Sequence, residues 1–444
     1  MGRKKIIIPE KSSKSDEVLN SLKEISKKDI KWTEGKAFGY VYHIDEEQTR
    51  LLIEANNMFA GSNALNPMAF PSLKECEKEI ISMTADMLNG DENVVGALTS
   101  GGTESILMAV KTYRDWAKNK KGIKNPEIVL PVSAHPAFDK AAHYFGVKLI
   151  KTPLREDFRA DVEAIKKAIN KNTILLVGSA CDYPKGVVDP IKEIAELAID
   201  NRIGCHVDSC LGGFMLPWLK KLGYPIPEFD FSIDGVTSMS ADNHKYGFGY
   251  KGTSTILYRN EDLMKYQVFA YTEWPGGIYA STTMTGTRPG GPIAATWAVM
   301  KYLGQEGYLR AAKITMETAQ KLQKGINEIP ELYVFGKPDM TVFTFGSDGL
   351  NVYKIADILQ SKGWILDRLQ NPRCLHLIVN PDHASIADKF LEELRSAVEQ
   401  LRKEPREKIP DGTAAMYGMM AKFPLRGFIK KKIIEFMIDQ YKTK

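Results

Sequence analysis

Between residues 94 and 207 the chain repeats a single alternation, and that repetition restricts its fold more than any other feature. Short apolar runs at 94–99, 128–132, 147–151, 174–179 and 203–207 are bounded by turn residues, with helical stretches such as 104–118 and 191–201 between them. Short strands that are apolar throughout are buried on both faces. Strands that alternate with helices build a mostly parallel sheet covered by helices on both sides. The spacing therefore predicts an α/β fold.

The flanking segments read differently. Residues 1 to about 45 are polar and lysine-rich, an expected loosely packed arm. Thr49, Leu52, Ile53, Met58 and Phe59 place one apolar face on a helix over 46–60. Ser72 and Glu75 have the spacing of a capping box opening the next helix, which is expected to stop at Gly90. Past Arg288-Pro289-Gly290-Gly291 a long helical region runs to about Glu328. A smaller α+β unit follows, with strands over 341–345 and 374–379 and a helix over 386–402. The expected division is an arm over 1–57, a large domain over 58–300 and a small C-terminal domain over 301–444.

Composition removes several function classes. Lys and Arg exceed Asp and Glu by 60 − 55 = 5, too small an excess to argue for nucleic acid. The five cysteines are scattered without metal or redox spacing and read as free thiols in a reducing compartment, with no metal site expected. No apolar run approaches the roughly 20 residues that span a bilayer. A soluble, cytoplasmic chain is expected, and the sequence leaves open whether a membrane anchor precedes it.

Four segments carry chemistry. Thr99-Ser100-Gly101-Gly102-Thr103-Glu104-Ser105 joins an expected strand to an expected helix, where glycines and free helix-start N–H groups suit a phosphate; the same turn is also an ordinary tight connection. His135 follows a strand in Ser133-Ala134-His135-Pro136-Ala137-Phe138, where a flat imidazole can stack on a ring or serve as a polar core residue. Asp208 ends a strand at the edge where parallel sheets bind ligands, though a turn aspartate would look alike. Lys245 lies in Ser240-Ala241-Asp242-Asn243-His244-Lys245-Tyr246-Gly247, a polar turn between strand-like runs at 235–239 and 252–258. A lysine can form a Schiff base with an aldehyde, although a single lysine is usually a solvated charge. The order phosphate turn, histidine, strand-end aspartate, His-Lys favours the catalytic reading.

These segments, with Gly276-Gly277-Ile278-Tyr279-Ala280-Ser281, Gly286-Thr287-Arg288-Pro289-Gly290-Gly291 and Ala414-Ala415-Met416-Tyr417-Gly418-Met419, resemble the fold-type-I pyridoxal-phosphate enzymes. The resemblance covers roughly residues 40 to 420. It falls in the group II decarboxylase-like branch and is nearest the sphingosine-1-phosphate lyase group. It implies a mostly parallel seven-stranded sheet plus a smaller C-terminal α+β domain, and pyridoxal 5'-phosphate as cofactor. It implies that Lys245 carries the Schiff base, Asp208 pairs with the pyridinium and His135 stacks on the ring. Gly102, Thr103, His244 and Ser240 would bind cofactor, with Gly286 and Thr287 arriving from a second subunit of a homodimer. Tyr42, Asn63, Asn66, Lys251 and Tyr279 would hold substrate phosphate, and Tyr183 would lie near the reacting carbons. Lys251, Tyr183 and His135 are the candidate bases.

The implied reaction cleaves the C2–C3 bond of a phosphorylated sphingoid base to a long-chain aldehyde and phosphoethanolamine. An amino-acid decarboxylase of the same branch and a non-catalytic binding protein of the same fold are the alternatives. Two positions depart from the family: Asn66 stands where histidine is usual, and Ala64 where proline is usual. Asparagine can donate to phosphate but carries no charge or proton.

Overall fold

A computed structural model describes residues 7–403 and 426–442; the motif at 414–419 lies outside the described residues. Seven strands form the central sheet: β1 (Val95–Thr99), β2 (Glu127–Pro131), β3 (Lys148–Thr152), β4 (Thr173–Ser179), β5 (Gly204–Asp208), β6 (Ser238–Ala241) and β7 (Ser254–Tyr258). Their order is β1-β7-β6-β5-β4-β2-β3, with only β7 antiparallel to its neighbours. The expected α/β class and mostly parallel sheet are therefore present.

The inner strands β2, β4, β5, β6 and β7 are buried on both faces, which explains the continuous apolar runs of β2 and β4, whereas the edge strand β3 exposes Lys148 and Lys151. Ile128 and Leu130 of β2 and Ile256 and Tyr258 of β7 join a core under the helices Gly102–Lys121 and Ala137–Phe145. The intervening Val129 and Leu257 point to the other face. There they meet Leu73 and Ile80 of the helix Pro71–Met87 and Ile194 of Ile191–Asp200. A hairpin, β8 (Phe269–Tyr271) with β9 (Tyr279–Ser281), leaves this body and was not legible in sequence.

The helix Gly290–Asn327 is broken at Gly304, whose φ of 51° and ψ of −171° are non-helical. Beyond it, a four-stranded antiparallel sheet is built from β10 (Tyr333–Val334), β11 (Val342–Gly346), β12 (Asp367–Leu369) and β13 (Cys374–Ile378), in the order β10-β11-β13-β12. The helices Val352–Ser361 and Ala387–Arg402 cover it, around Phe343, Phe345, Ile355, Leu377, Phe390 and Leu394.

Three expectations need correction. The helix over 71–87 starts at Pro71 with Phe70 as its cap, so the Ser72 capping box does not form; proline's fixed φ suits the first helical position. The strand expected over 235–239 is β6 at 238–241, because ladder pairing with β5 begins at His206 and Ser238. The loosely packed arm ends sooner than expected. Phe38 is buried in the small-sheet core, and Ala37 bridges to Ile365. Asn380 Nδ2 donates to the Val41 carbonyl.

Candidate active site

β1 is antiparallel to β7 and β7 to β6, so β1 runs parallel to β6 and the rest of the main sheet. The carboxyl ends of β1, β2, β4, β5 and β6 therefore share one edge, the usual ligand edge of such sheets. Ser100-Gly101-Gly102-Thr103, His135, Ser179, Asp208 and Asp242-Asn243-His244-Lys245 all follow or end strands there. A cavity of about 280 Å³ opens at this edge, lined by Gly102, Thr103, His135, Tyr183, Asp208, His244 and Lys245 together with Asp242 and Cys210. Seven residues chosen from sequence are thus brought to one cavity.

The phosphate turn is built by Glu104. Its Oε2 accepts from the Ser100 N–H at 2.7 Å and the Ser100 hydroxyl at 2.5 Å, and its Oε1 accepts from Met284 N–H at 2.7 Å. The first N–H groups of the helix Gly102–Lys121 have no intrahelical partner and open on the cavity at Gly102 and Thr103. At Gly102 a Cβ would fall 2.8 Å from both Asp242 carboxylate oxygens and from Cys210 Sγ, so only glycine fits this turn.

Asp208 is held by donors behind the cavity. Its Oδ1 accepts from Cys210 N–H at 3.1 Å and from Ser240 Oγ at 3.4 Å. Ser240, expected to touch cofactor, does not line the cavity. It lies between Asp208 and His206, whose Nδ1 contacts Ser238 Oγ at 2.8 Å and Nε2 contacts Ser240 Oγ at 3.3 Å. Burial pushes His206 down to about 4, keeping the support neutral.

Lys245 reaches the cavity from a tight turn in which its Nζ lies 3.0 Å from Asp242 Oδ2. Burial opposes the ammonium charge, but Asp242 outweighs it and raises the lysine above its ordinary value. The Asp242 carboxyl itself is buried, and Lys245 and His244 overcome that burial to hold it below the usual carboxylate range. Asp242 Oδ1 has no hydrogen-bond partner. His244 Nδ1 accepts from Thr253 N–H at 3.2 Å, leaving its proton on Nε2, 3.8 Å from Asp242 Oδ2. His135 Nδ1 accepts from Ala137 N–H at 3.1 Å, which fixes its ring at the helix start.

The residues expected to hold substrate phosphate do not meet in one chain. Lys251 and Tyr42 form one pair: Lys251 Nζ donates to the His244 carbonyl at 3.3 Å and lies 5.0 Å from the Tyr42 ring centroid. Although Lys251 is an exposed residue, its ammonium is turned inwards. Burial and then Lys245 push it down to about 8. Asn63 is elsewhere, donating from Nδ2 to Thr287 Oγ1 at 3.4 Å and accepting on Oδ1 from Leu65 N–H at 2.9 Å. Asn66 Oδ1 accepts from Met68 and Ala69 N–H at 3.0 and 3.3 Å, an Asx turn within its own loop. Tyr279 sits on β9, and Gly286 lines a separate open cavity of about 820 Å³ with Ala64, Leu65 and Arg288.

Two residues were missed by sequence reasoning. Asp242 had a local signal, an acid three residues before Lys245 in a turn. Asp367, which accepts from the Tyr183 hydroxyl at 2.7 Å, had none, being 184 residues away in the chain.

The donor set fits pyridoxal phosphate on the observations above. A lysine amine, a strand-end carboxylate, an imidazole and a helix start too tight for a Cβ converge on one cavity, with a buried carboxylate oxygen left unpartnered. Among the described residues no helix is long and apolar enough to cross a membrane.

Comparisons with known proteins agree with this geometry. Residues 3–347 match the pyridoxal-dependent decarboxylase conserved domain. The chain is 47% identical over 433 residues to a sphingosine-1-phosphate lyase of Arabidopsis thaliana, covering 96% of this chain and 79% of that one. It is 46% identical over 415 residues to sphingosine-1-phosphate lyase 1 of Rattus norvegicus, covering 93% and 73%. The structure of a sphingosine-1-phosphate lyase of Burkholderia pseudomallei superposes with a TM-score of 0.87 at 42% identity, covering 89% of this chain and 93% of that one. A Lactobacillus brevis glutamate decarboxylase shares the fold, with a TM-score of 0.80 at 19% identity.

Proposed function

Because the chain belongs to the pyridoxal-dependent decarboxylase family, in its sphingosine-1-phosphate lyase group, we propose that it cleaves the C2–C3 bond of sphingoid-base 1-phosphates to a long-chain aldehyde and phosphoethanolamine. One observation carries the preference for a phosphorylated substrate. A second lysine, Lys251, stands at the His244 carbonyl, six residues beyond the cavity lysine, with its ammonium turned toward Tyr42.

Pyridoxal phosphate, when bound, supplies the electron sink that makes the carbon–carbon cleavage feasible. The chain's own residues divide the remaining work. Lys245 offers the amine that carries the cofactor, and Asp242 holds that Nζ in the cavity. Gly102 and Thr103 at the helix start, with His244, would hold the cofactor phosphate. Asp208, steadied by Cys210 N–H and Ser240, would keep the proton on the ring nitrogen. His135, locked by Ala137 N–H, would cover the ring face. Lys251 offers a cation for the substrate phosphate, which hydroxyl and amide donors then complete.

We assign Asn63, Asn66, Tyr279, Gly286 and Thr287 to a site shared with another subunit, because none of them lines the cavity of their own chain's Lys245. A homodimer with shared sites is therefore part of this reading, and a fully active monomer in analytical ultracentrifugation would remove it. The boundary between 58–300 and 301–444 is supported by the helix break at Gly304 beside it, while the arm ends before Ala37 rather than at 57, since Ala37 and Phe38 already pack on the small sheet.

Mass spectrometry of products after incubation with a sphingoid-base phosphate tests the reaction. A long-chain aldehyde and phosphoethanolamine are expected. Carbon dioxide and an amine from a plain amino acid, with no aldehyde, would replace this reading with the decarboxylase one.

A further inference from the structure

Tyr183 packs against the main core but takes its polar contacts from the small sheet. Its loop leaves the carboxyl end of β4 and inserts against β11, β12 and β13. His376 Nε2 lies 2.8 Å from the Tyr183 carbonyl, and the two rings are 4.2 Å apart. A carbonyl only accepts, so the His376 proton is on Nε2; burial pushes this ring down to about 4 and keeps it neutral. Two residues on, Lys185 Nζ donates to Thr344 Oγ1 at 3.2 Å and lies 3.3 Å from Cys374 Sγ. At Gly186 a Cβ would fall 1.8 Å from the Val342 carbonyl oxygen. Gly186 therefore packs directly on the β11 backbone, seating the loop against the small sheet.

That phenol lines the cavity with Lys245 and donates to Asp367 Oδ2 at 2.7 Å. The Tyr40 hydroxyl donates to Asp367 Oδ1 at 2.5 Å, so both carboxylate oxygens accept from phenols. With its proton committed to Asp367, the Tyr183 oxygen presents lone pairs to a cavity ligand, and a substrate hydroxyl meets it as donor.

We propose, resting on the lyase reading above, that Asp367 acts through Tyr183 as the terminal proton acceptor when the substrate's C3 hydroxyl is deprotonated. The substrate O–H bond breaks as its proton bonds to Tyr183 Oη. The Tyr183 O–H bond breaks as that proton bonds to Asp367 Oδ2, leaving a carboxylic acid. The electron pair left on the substrate oxygen becomes the second bond of the aldehyde C=O as C2–C3 breaks, and the C2–C3 pair stays with C2, which then takes a proton. Tyr183 cannot serve alone, because burial and then the Asp367 charge hold its phenol far above the usual range. Lys251 does not line this cavity and is left free to hold phosphate. Asp367 is thus a positioning and relay residue, and Tyr183 the group that touches substrate.

The holoenzyme variants Asp367→Asn, Asp367→Glu and Tyr183→Phe test this with a sphingoid-base phosphate. Asparagine keeps an acceptor oxygen for Tyr183 but cannot take its proton. The kcat of Asp367→Asn should fall by about 10²–10⁴-fold with KM changed far less, and Asp367→Glu should recover part of it. Exchange of the C2 hydrogen of phosphoethanolamine in heavy water involves no C3 hydroxyl and should stay near wild type in Asp367→Asn. A kcat within about threefold of wild type, or joint loss of cleavage and exchange, would overturn the relay. A wild-type enzyme that forms no aldehyde would instead remove the lyase reading, and the relay with it, before any variant is compared.

Discussion

Replacing Lys251 with alanine should weaken phosphorylated substrate while sparing the cofactor. Among the described residues its Nζ meets the His244 carbonyl at 3.3 Å and the face of the Tyr42 ring, so it can turn to an arriving phosphate. A hydrogen bond to a charged group contributes about 1.5–3 kcal/mol, which is about 10- to 150-fold in kcat/KM. The pH dependence sharpens the test. Burial and Lys245 push the Lys251 ammonium down to about 8, so the free enzyme loses this cation as pH rises through that value. The substrate phosphate gains its second charge near about pH 6. The kcat/KM profile, which reports free enzyme and free substrate, should therefore rise through about 6 and fall on the alkaline side. Burial, the larger cause, still holds the Lys251 ammonium below its ordinary value once the Lys245 amine carries the cofactor. Lys251→Ala should lower the plateau and erase the alkaline limb. Lys251→Arg should keep the charge and carry that limb out of range. An unchanged alkaline midpoint in both variants, or equal weakening of substrate and of cofactor in an absorbance titration, would refute the assignment.

Further outcomes follow from the same geometry. Lys245→Ala should lose the visible absorbance of the bound cofactor while keeping its far-ultraviolet dichroism; a persistent band would place the Schiff base elsewhere. In the apo-protein, Asp242→Asn should cost about 3 kcal/mol in urea unfolding at pH 7, the lower end for stripping a buried pair because Lys245 opens on the cavity. The folded Lys245 value is raised, so its contribution is complete below about 10.4 and is lost only as pH rises through the folded value. The depressed Asp242 value makes the same pair fail as pH falls below about 3.9. Unchanged stability of the variant at pH 7 would sink this account. His43, whose Nδ1 lies 2.8 Å from Asp382 Oδ2, is raised mainly by that hydrogen bond. Its tether should be complete below about pH 6.5 and weaken as pH rises through the folded value. Hydrogen exchange of residues 36–45, corrected for intrinsic rate, should therefore quicken from pH 6 to 8 in wild type but not in Asp382→Asn.

The main sheet was legible because its inner strands are buried on both faces, so that β2 and β4 in particular read as continuous apolar runs. Lys245, Asp208, His135, Gly102 and Thr103 were legible because each sits at a strand end or helix start that the same pattern locates. The small strands β8, β9, β10 and β12 were not, being two or three residues long and partly exposed. The contact of Ser240 with Asp208 was not legible, because strand position does not reveal which neighbour a side chain faces.

The sequence by itself determined the alternation that makes the sheet, and with it the edge where Lys245 and Asp208 converge. Strand period and chain order are local properties, and parallel pairing sends each carboxyl end to the same side. Tertiary structure alone decided which distant groups meet at that edge. Asp367 on β12 of the small sheet accepts from the Tyr183 hydroxyl at 2.7 Å, although Tyr183 leaves the main sheet after β4. Such contacts depend on how two separately cored units pack, and no local sequence pattern encodes the meeting of side chains 184 residues apart.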